Sequence, residues 1–412
     1  MSLKGLIIVL DGLDKELFEK ANMVFLKKMY HKGIKSVKPT ITPACAVSIL
    51  TGMEPKKHGI VDFYDTKFNV VTAKNVHYLY FTDILKLWGY RLGIWKVPMI
   101  YPKKYQGFVV WGLEAPRLTD DHFIRALLKK VKYNPEEMEF FSSDKKFYEI
   151  YKKKARLEFS LFKFLAKSYN IDVGFFWFRY TDILAHSFYG RRNDLLIDYY
   201  NYIDELIKNL IEDLKPNFWI VFGDHGFAEK KYTISIPRLL IDADLIHWSK
   251  RYQHFIHLLV EKTNTDTIIK LGLLKTYGFL SFVNMGSYVS GFFRFNEVNL
   301  VGAEDNILTI VPYKAEVASY LERKLGKLCD FLRINSSLVI VPQKGIGLTK
   351  IVLSKPIITN KSTLRRGIHW IDTVVVSNDP GIYKVSKITD IKDLILSRFR
   401  KKLVKLKRRV GE

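Results

Sequence analysis

Three apolar runs in this chain each stop just short of an aspartate. "LIIVL" runs directly into Asp11, "VGFFWF" reaches Asp182 after Arg179, Tyr180 and Thr181, and "FWIVF" reaches Asp224 after Gly223. Short β-branched and aromatic runs without polar alternation are the pattern of parallel strands covered on both faces. In an open parallel sheet, ligands bind outside the carboxyl ends of the strands, so the three carboxylates are expected to converge on one edge. That edge is the candidate site.

The segments between these runs read as helices. Leu17, Phe18, Ala21, Val24, Phe25, Lys28 and Met29 recur at helical spacing, with Gly33 at the position of a left-handed C-terminal residue, and "IKSVKP" then suggests a βαβ unit. "YRLGIWKVPMIYP" reads as a further strand. Asp194 to Leu214 reads as a long helix with Leu195, Tyr199, Tyr202, Ile203, Leu206, Leu210 and Leu214 on its apolar face, broken by Pro216. Alternating strand and helix predict an α/β fold with a doubly wound, mostly parallel sheet. From Gly226 to about residue 360 the pattern shifts to short strands and helices, which predicts an α+β insertion or cap over 227–359 between core segments 1–226 and 360–390. Residues 391–412 read as a basic tail. Its "LILSRFRKKLVKLKRRVGE" fits a frayed surface helix, with contact to phosphate groups as the alternative.

With hydrophobic residues at 48% and aromatics at 14%, disordered and fibrous classes are excluded. Lys and Arg number 66 against 42 Asp and Glu, and the resulting +24 attracts anionic partners: nucleotides, nucleic acid or lipid headgroups. A charge-rich surface adapted to heat is the competing explanation. Cys45 and Cys329 are too few for a disulfide framework, which suits a reducing cytoplasm. The Leu6 to Leu10 run is too short for a secretion signal, and the uncharged Thr276 to Phe293, with its Gly, Ser/Thr and Asn284, reads as buried strand and loop rather than a membrane span.

Two of the three acids bring histidines. Asp182 and His186 share a face if their segment is helical, and His225 adjoins Asp224. Carboxylate oxygens and imidazole nitrogens, at about 2.0 to 2.2 Å, are the ligand set of zinc and also suit manganese. Each alone is more simply a helix cap or a satisfied core histidine; together they point to metal. In "KPTITPACAVSILTG", Thr42 is expected as the N-cap of a helix with Pro43 at its first position and Gly52 just past its end. Such a helix start is also a phosphate site, and a hydroxyl beside metal ligands is a candidate nucleophile.

"LDGLD", "PTITPACAVSILTGMEPKKHGI", "TDILAHSFY", "GDHGF" and "GIHWIDTVVVSNDPGI" stand in the order typical of the alkaline phosphatase superfamily, and the chain resembles its type I phosphodiesterase and nucleotide pyrophosphatase branch from about residue 5 to 385. "WKVPMIYP" and "GFVVWGLEAPR" are similar to archaeal and bacterial members without a secretion signal. The resemblance implies two divalent metal ions, zinc or alternatively manganese. Asp182, His186 and His369 would hold one; Asp11, Asp224, His225 and the nucleophile Thr42 the other. It implies in-line attack by Thr42 on a phosphodiester or nucleotide and a phospho-threonine intermediate. His369 is placed by the resemblance alone, through "NDPGI" downstream.

Departures accompany the likeness. The family usually reads Thr-x-Pro, whereas Thr42 touches Pro43 directly, so Thr40 is the runner-up for nucleophile. Where extracellular relatives carry a phosphate-binding Asn after "HGI", this chain has Phe63, leaving helix N–H groups or Lys96 to stabilise the oxyanion. Cys45 is not set in a sulfatase motif, and no Arg adjoins the nucleophile as in monoesterases. The alternatives are a phosphonate hydrolase or phosphomutase on the same metal pair, and a non-catalytic basic protein that binds nucleic acid or an anionic membrane surface. His247, His254 and His257 lack a carboxylate at metal spacing and are expected in an ordinary helix.

Overall fold

The computed structural model describes residues 3–65, 69–112, 114–134, 143–245, 299–301, 307–311, 314–334, 337–349, 355–359 and 367–399. Down the chain, β1 (Gly5–Leu10), β2 (Tyr30–Lys35), β3 (Leu92–Trp95), β4 (Gly107–Val110), β5 (Val173–Phe178) and β6 (Phe218–Phe222) precede a short β7 (Gly226–Glu229). Then come β8 (Tyr232–Ser235), β9 (Asn299–Val301), β10 (Leu308–Val311), β11 (Cys329–Ile334), β12 (Ser337–Pro342), β13 (Ile346–Thr349) and β14 (Ile357–Thr359), followed by β15 (Gly367–Trp370) and β16 (Asp372–Ser377).

The central sheet has seven strands in the order β2-β16-β6-β1-β5-β3-β4. β1 lies between β5 and β6 and runs parallel to both, with Leu10 level with Phe178 and Val9 level with Phe222. Only β16 runs antiparallel to its neighbours β6 and β2. The chain therefore leaves β1 in both directions, and a crevice opens at the carboxyl ends of β1, β5 and β6. This is the α/β sheet expected from the apolar runs.

Strand alternation divides the core into two layers. Leu6, Ile8 and Leu10 pack with Phe162 and Leu165 of helix Asp144–Ser168 and with Tyr199 and Ile203 of helix Asn193–Leu214. Ile7 and Val9 face the other way, onto Val47 and Leu50 of helix Thr42–Thr51 and onto Phe81 and Leu85 of helix Phe81–Leu87. All six β1 residues are buried, and each such apolar side chain, fully buried, contributes about 1.5 to 3 kcal/mol.

The structure corrects several local expectations. The single helix expected over Leu17 to Met29 is two short ones, Lys15–Lys20 and Val24–Lys27, because the chain turns extended at Ala21 and the Asp204 carboxylate accepts the amides of Phe25 and Leu26 at 2.8 and 2.9 Å. Gly33 lies inside β2 rather than at a helix end, where a Cβ would stand 2.9 Å from the Lys15 stem. The buried face of the long helix is turned slightly from the expected one: Leu196, Tyr200 and Ile207 are buried, whereas Leu195, Tyr202 and Leu206 are only partly covered. The segment from residue 391 does not begin as a frayed surface helix. Ile391–Phe399 is a helix that buries Ile391, Leu394, Ile395 and Phe399, with the Phe399 ring filling the space over Gly5.

Within the span expected as an insertion, β11-β12-β10-β9 form a four-stranded sheet, with helix Ala315–Leu325 packed beside it. Ile307, Val339 and Val341 of this region pack on Ile41 and Ala44, and Lys38 pairs with Asp330. This small sheet thus borders the start of the Thr42–Thr51 helix. Among the described residues, no helix is long and apolar enough to cross a membrane. His247, His254, His257 and Thr276 to Phe293 lie outside the described residues.

Candidate active site

Asp11 follows β1 directly and is 1% exposed. Its amide donates to the Phe178 carbonyl at 2.9 Å, and its Oδ2 accepts the Trp177 indole N–H at 3.0 Å, so β5 fixes both backbone and carboxylate. Gly12 turns the chain away with φ +72, a conformation costly for any residue with a side chain, and a Cβ there would lie 2.4 Å from the Phe227 ring. Its amide donates to Asp224 Oδ1 at 3.0 Å, tying the end of β1 to the end of β6. Asp182 and His186 lie one turn apart on helix Tyr180–Phe188, so their side chains share a face.

His369 arrives from far along the chain. β15 pairs antiparallel with β7, setting His369 opposite Phe227 and Trp370 opposite Gly226. The His369 ring consequently stacks on that of His225, with centroids 3.7 Å apart, and lies 4.9 Å from that of His186. Two glycines permit this approach. A Cβ on Gly226 would stand 1.9 Å from the Asp372 carbonyl oxygen, and one on Gly367 would stand 2.2 Å from that of Ala185.

Each of the three imidazoles is oriented by a backbone carbonyl. Nδ1 of His186 donates to Gly367 at 3.0 Å, Nδ1 of His225 to Gly226 at 3.1 Å, and Nδ1 of His369 to Thr40 at 3.0 Å. That arrangement turns every Nε2 toward the acids, the orientation metal-binding histidines need. Two groups result, Asp182 with His186 and His369, and Asp11 with Asp224 and His225; within each, the ligand atoms lie within 4.8 Å of one another.

The donor atoms fit metal ions. Asp11 Oδ1, Asp224 Oδ2 and His225 Nε2 are buried and have no hydrogen-bond partner among the described residues, although Nε2 stands 3.3 and 3.5 Å from the two carboxylates. Buried polar atoms without partners are costly, and three of them converging are what a divalent cation satisfies once it displaces the His225 proton. In the other group, His369 Nε2 lies 3.0 Å from His186 Nε2 and 3.1 Å from Asp182 Oδ1. Three acceptors facing one another again require a cation or an added proton.

The electrostatics agree. Burial and the neighbouring Asp11 charge push the Asp224 carboxyl well above the usual carboxylate range. Burial works against charging His225, but the Asp224 and Asp11 carboxylates prevail and raise it to about 10. Burial and the His225 charge lower His369 to about 3. Against its own burial, Asp182 is held well below the usual range by His186 and His369.

Thr42 is not the N-cap of its helix. Ile41 occupies that place without a side-chain capping bond, Thr42 is the first helical residue, and Gly52 closes the helix at φ +70. The Thr42 hydroxyl makes no hydrogen bond among the described residues, and the first-turn amides of Thr42 and Ala44 have no acceptor within the helix. Thr40 differs: its hydroxyl donates to the Val37 carbonyl at 3.1 Å and its own carbonyl holds His369. Lys96, expected at the substrate, is 6% exposed and pairs with Glu158 at 2.7 Å. Phe63 packs, partly buried, against the Ile41 and Val339 cluster, and so forms apolar wall rather than a phosphate donor.

Sequence reasoning missed Asp14. Its carboxylate caps Lys15–Lys20 through the Leu17 amide at 2.9 Å and accepts the Phe227 amide at 3.1 Å, which seats β7. Burial pushes its carboxyl up. An aspartate three residues before an apolar helical position was the available signal.

The family described as type I phosphodiesterase / nucleotide pyrophosphatase matches residues 6–270. No curated protein matches. Among solved structures, murine ectonucleotide pyrophosphatase / phosphodiesterase 5, an inactive threonine-to-alanine form in complex with AMP, superposes with a TM-score of 0.57 at 14% identity, over 97% of this chain and 95% of that one. The human form of that protein gives 0.55 at 12%, covering 96% and 94%. Phosphonoacetate hydrolase from Sinorhizobium meliloti 1021, in complex with phosphonoformate, gives 0.56 at 13%, covering 96% of each chain. At these identities the superpositions establish a shared fold.

Proposed function

The chain belongs to the type I phosphodiesterase / nucleotide pyrophosphatase family, a family of metal-dependent phosphoric ester hydrolases, and we propose that it cleaves small anionic phosphodiesters or nucleotides with Thr42 as nucleophile. The observation that carries this reading is the trio of orphaned buried atoms, Asp11 Oδ1, Asp224 Oδ2 and His225 Nε2, at the carboxyl ends of β1 and β6. Asp182, His186 and His369 would hold one divalent ion, and Asp11, Asp224, His225 and Thr42 the other; zinc suits this donor set best, with manganese the alternative. When bound, such ions supply Lewis acidity, lowering the pKa of a hydroxyl and offsetting phosphoryl charge.

The residues themselves do the positioning. The first turn of Thr42–Thr51 presents the Thr42 and Ala44 amides and a positive dipole end, which bind non-bridging phosphoryl oxygens. A free hydroxyl at the first helical position can approach phosphorus without first breaking a hydrogen bond. The Thr40 carbonyl, two residues earlier, locks His369 and so couples the nucleophile loop to the other ligand group. Ser36 adds a second tie, its hydroxyl donating to the Asp224 carbonyl at 2.5 Å. The apolar wall of Ile41, Phe63 and Val339 excludes water beside the reacting group.

Phosphonate cleavage at the same site is the second reading, suggested by the likeness to phosphonoacetate hydrolase. Turnover of bis(p-nitrophenyl) phosphate, p-nitrophenyl phosphate and phosphonoacetate, on chelator-stripped enzyme with zinc or manganese restored, separates the two. Metal-dependent preference for the diester supports the proposal. Preference for phosphonoacetate replaces it with the second reading.

A further inference from the structure

A second polar cluster is buried on the same side of the sheet, one strand beyond the acids. Glu158, on helix Asp144–Ser168, is wholly inaccessible to solvent. Its Oε1 accepts the Lys96 ammonium at 2.7 Å, the Tyr133 hydroxyl at 2.5 Å and the Tyr180 hydroxyl at 2.7 Å, while Trp95 Nε1 reaches Oε2 at 3.4 Å. The Lys96 ammonium also lies 5.2 Å from the centre of the Tyr180 ring. Lys96 directly follows β3 and has φ 53, a left-handed conformation that costs energy in a residue with a side chain. A desolvated ion pair gains little net stability over an apolar replacement, so one held on a strained backbone calls for another purpose.

Tyr180 indicates that purpose. It opens helix Tyr180–Phe188, which carries Asp182 and His186, and this helix has no side-chain N-cap. Its first turn is fastened instead by two side-chain bonds: the Tyr180 hydroxyl to Glu158, and the Thr181 hydroxyl to the Asp11 carbonyl at 2.5 Å. One bond sets the helix against the Asp11 strand; the other sets it against helix Asp144–Ser168, whose Glu158 also holds Lys96 at the end of β3. We infer that Glu158, clamped by Lys96, is a positioning residue that fixes the rotation and depth of this helix through Tyr180 and thereby the geometry of the Asp182, His186 and His369 group. Tyr133 donates to the same oxygen but lies on no ligand-bearing element, so it contributes stability alone.

The inference rests on the metal reading of that group, and its test separates the two. Zinc is titrated by calorimetry into the full-length protein bearing Tyr180→Phe or Tyr133→Phe, each of which removes one hydroxyl and no charge. An Asp11→Asn background isolates the Asp182 group, and a His186→Ala background isolates the other. Tyr180→Phe is expected to weaken zinc binding at the Asp182 group by about tenfold or more, the usual effect of removing an outer support of a ligand. It should change the Asp11 group less than about twofold, whereas Tyr133→Phe should leave both unchanged despite a comparable loss in thermal stability. Equal zinc affinities in Tyr180→Phe and the parent, or equal weakening by Tyr133→Phe, overturn the inference while leaving the metal reading intact. Absence of zinc binding in the parent overturns both.

Discussion

His58 should make this fold acid-sensitive in a way that can be isolated. It lies at the end of helix Pro55–His58, 6% exposed, and bridges to helix Thr42–Thr51 through Ser48 Oγ at 3.0 Å from its Nε2. Its Nδ1 accepts the Ile60 amide at 3.1 Å, so the single proton of the neutral ring sits on Nε2 and donates to Ser48. A second proton would have to enter at Nδ1, where an N–H already points. Burial, opposed only weakly by the Ala44 carbonyl, accordingly lowers this imidazole from 6.5 to about 4. In the unfolded chain it protonates first as pH falls, so the stability present above pH 6.5 is lost between there and pH 4. At roughly 1.36 kcal/mol per unit, the loss is about 2 kcal/mol at pH 5 and about 3 kcal/mol at pH 4.

Urea denaturation of wild type and His58→Gln across pH 7 to 4 reads this directly, because the other titrating groups cancel in the difference. The glutamine amide can still donate to Ser48, so the variant should fold. The stability of wild type relative to the variant should fall by about 3 kcal/mol over that range. A difference that stays constant within about 0.5 kcal/mol would refute the buried, neutral assignment of His58.

Other consequences follow from the same geometry. Thr42→Ala should reduce diester turnover by at least about 10³-fold with little change in melting temperature, whereas Thr40→Val should cost about 1 kcal/mol of stability through the lost Val37 bond and keep most activity, as steady-state kinetics beside thermal melts will show. Because Asp224 and Asp11 raise His225 to about 10, zinc must displace at least one proton at pH 7; calorimetry in buffers of different ionisation enthalpy should detect its release, and zinc affinity should rise as pH increases toward 10. Gly367→Ala places a Cβ 2.2 Å from the Ala185 carbonyl, which must part β15 from the ligand helix; a loss of about 1 to 3 kcal/mol in denaturation and weaker zinc binding at the His369 group are expected.

The strand-end acids were legible because unbroken apolar runs have few uses other than buried parallel strands, and topology then fixes where those strands' ends meet. Asp182 with His186 was legible from helical spacing. His369 was not, since its place depends on β15 pairing with β7, a contact between segments far apart in the sequence. Family likeness located it, and the structure supplies the stacking on His225 that local pattern could not. The Thr42 helix was read one position late: Pro43 is tolerated at the second helical position as well as the first, because neither N–H has a partner within the helix. Lys96 looked available because its partner, Glu158, lies on a helix whose amphipathic pattern gives no hint of a buried charge. The packed start of the C-terminal segment was hidden in the same way, its Phe399 answering to the bare backbone of Gly5.

If Thr42 attacks phosphorus, a covalent enzyme intermediate must form on its hydroxyl during turnover. Zinc-loaded enzyme should be mixed with bis(p-nitrophenyl) phosphate, quenched in acid during turnover, digested and examined by mass spectrometry. A p-nitrophenyl phosphoryl adduct on Thr42 of the "TPACAVSILTG" segment, formed with release of one p-nitrophenolate, present with metal and absent after chelation, is the predicted result. Rapid metal-dependent turnover with the adduct on Thr40, or with no adduct in either wild type or a Thr42→Ala variant that retains activity, would contradict it.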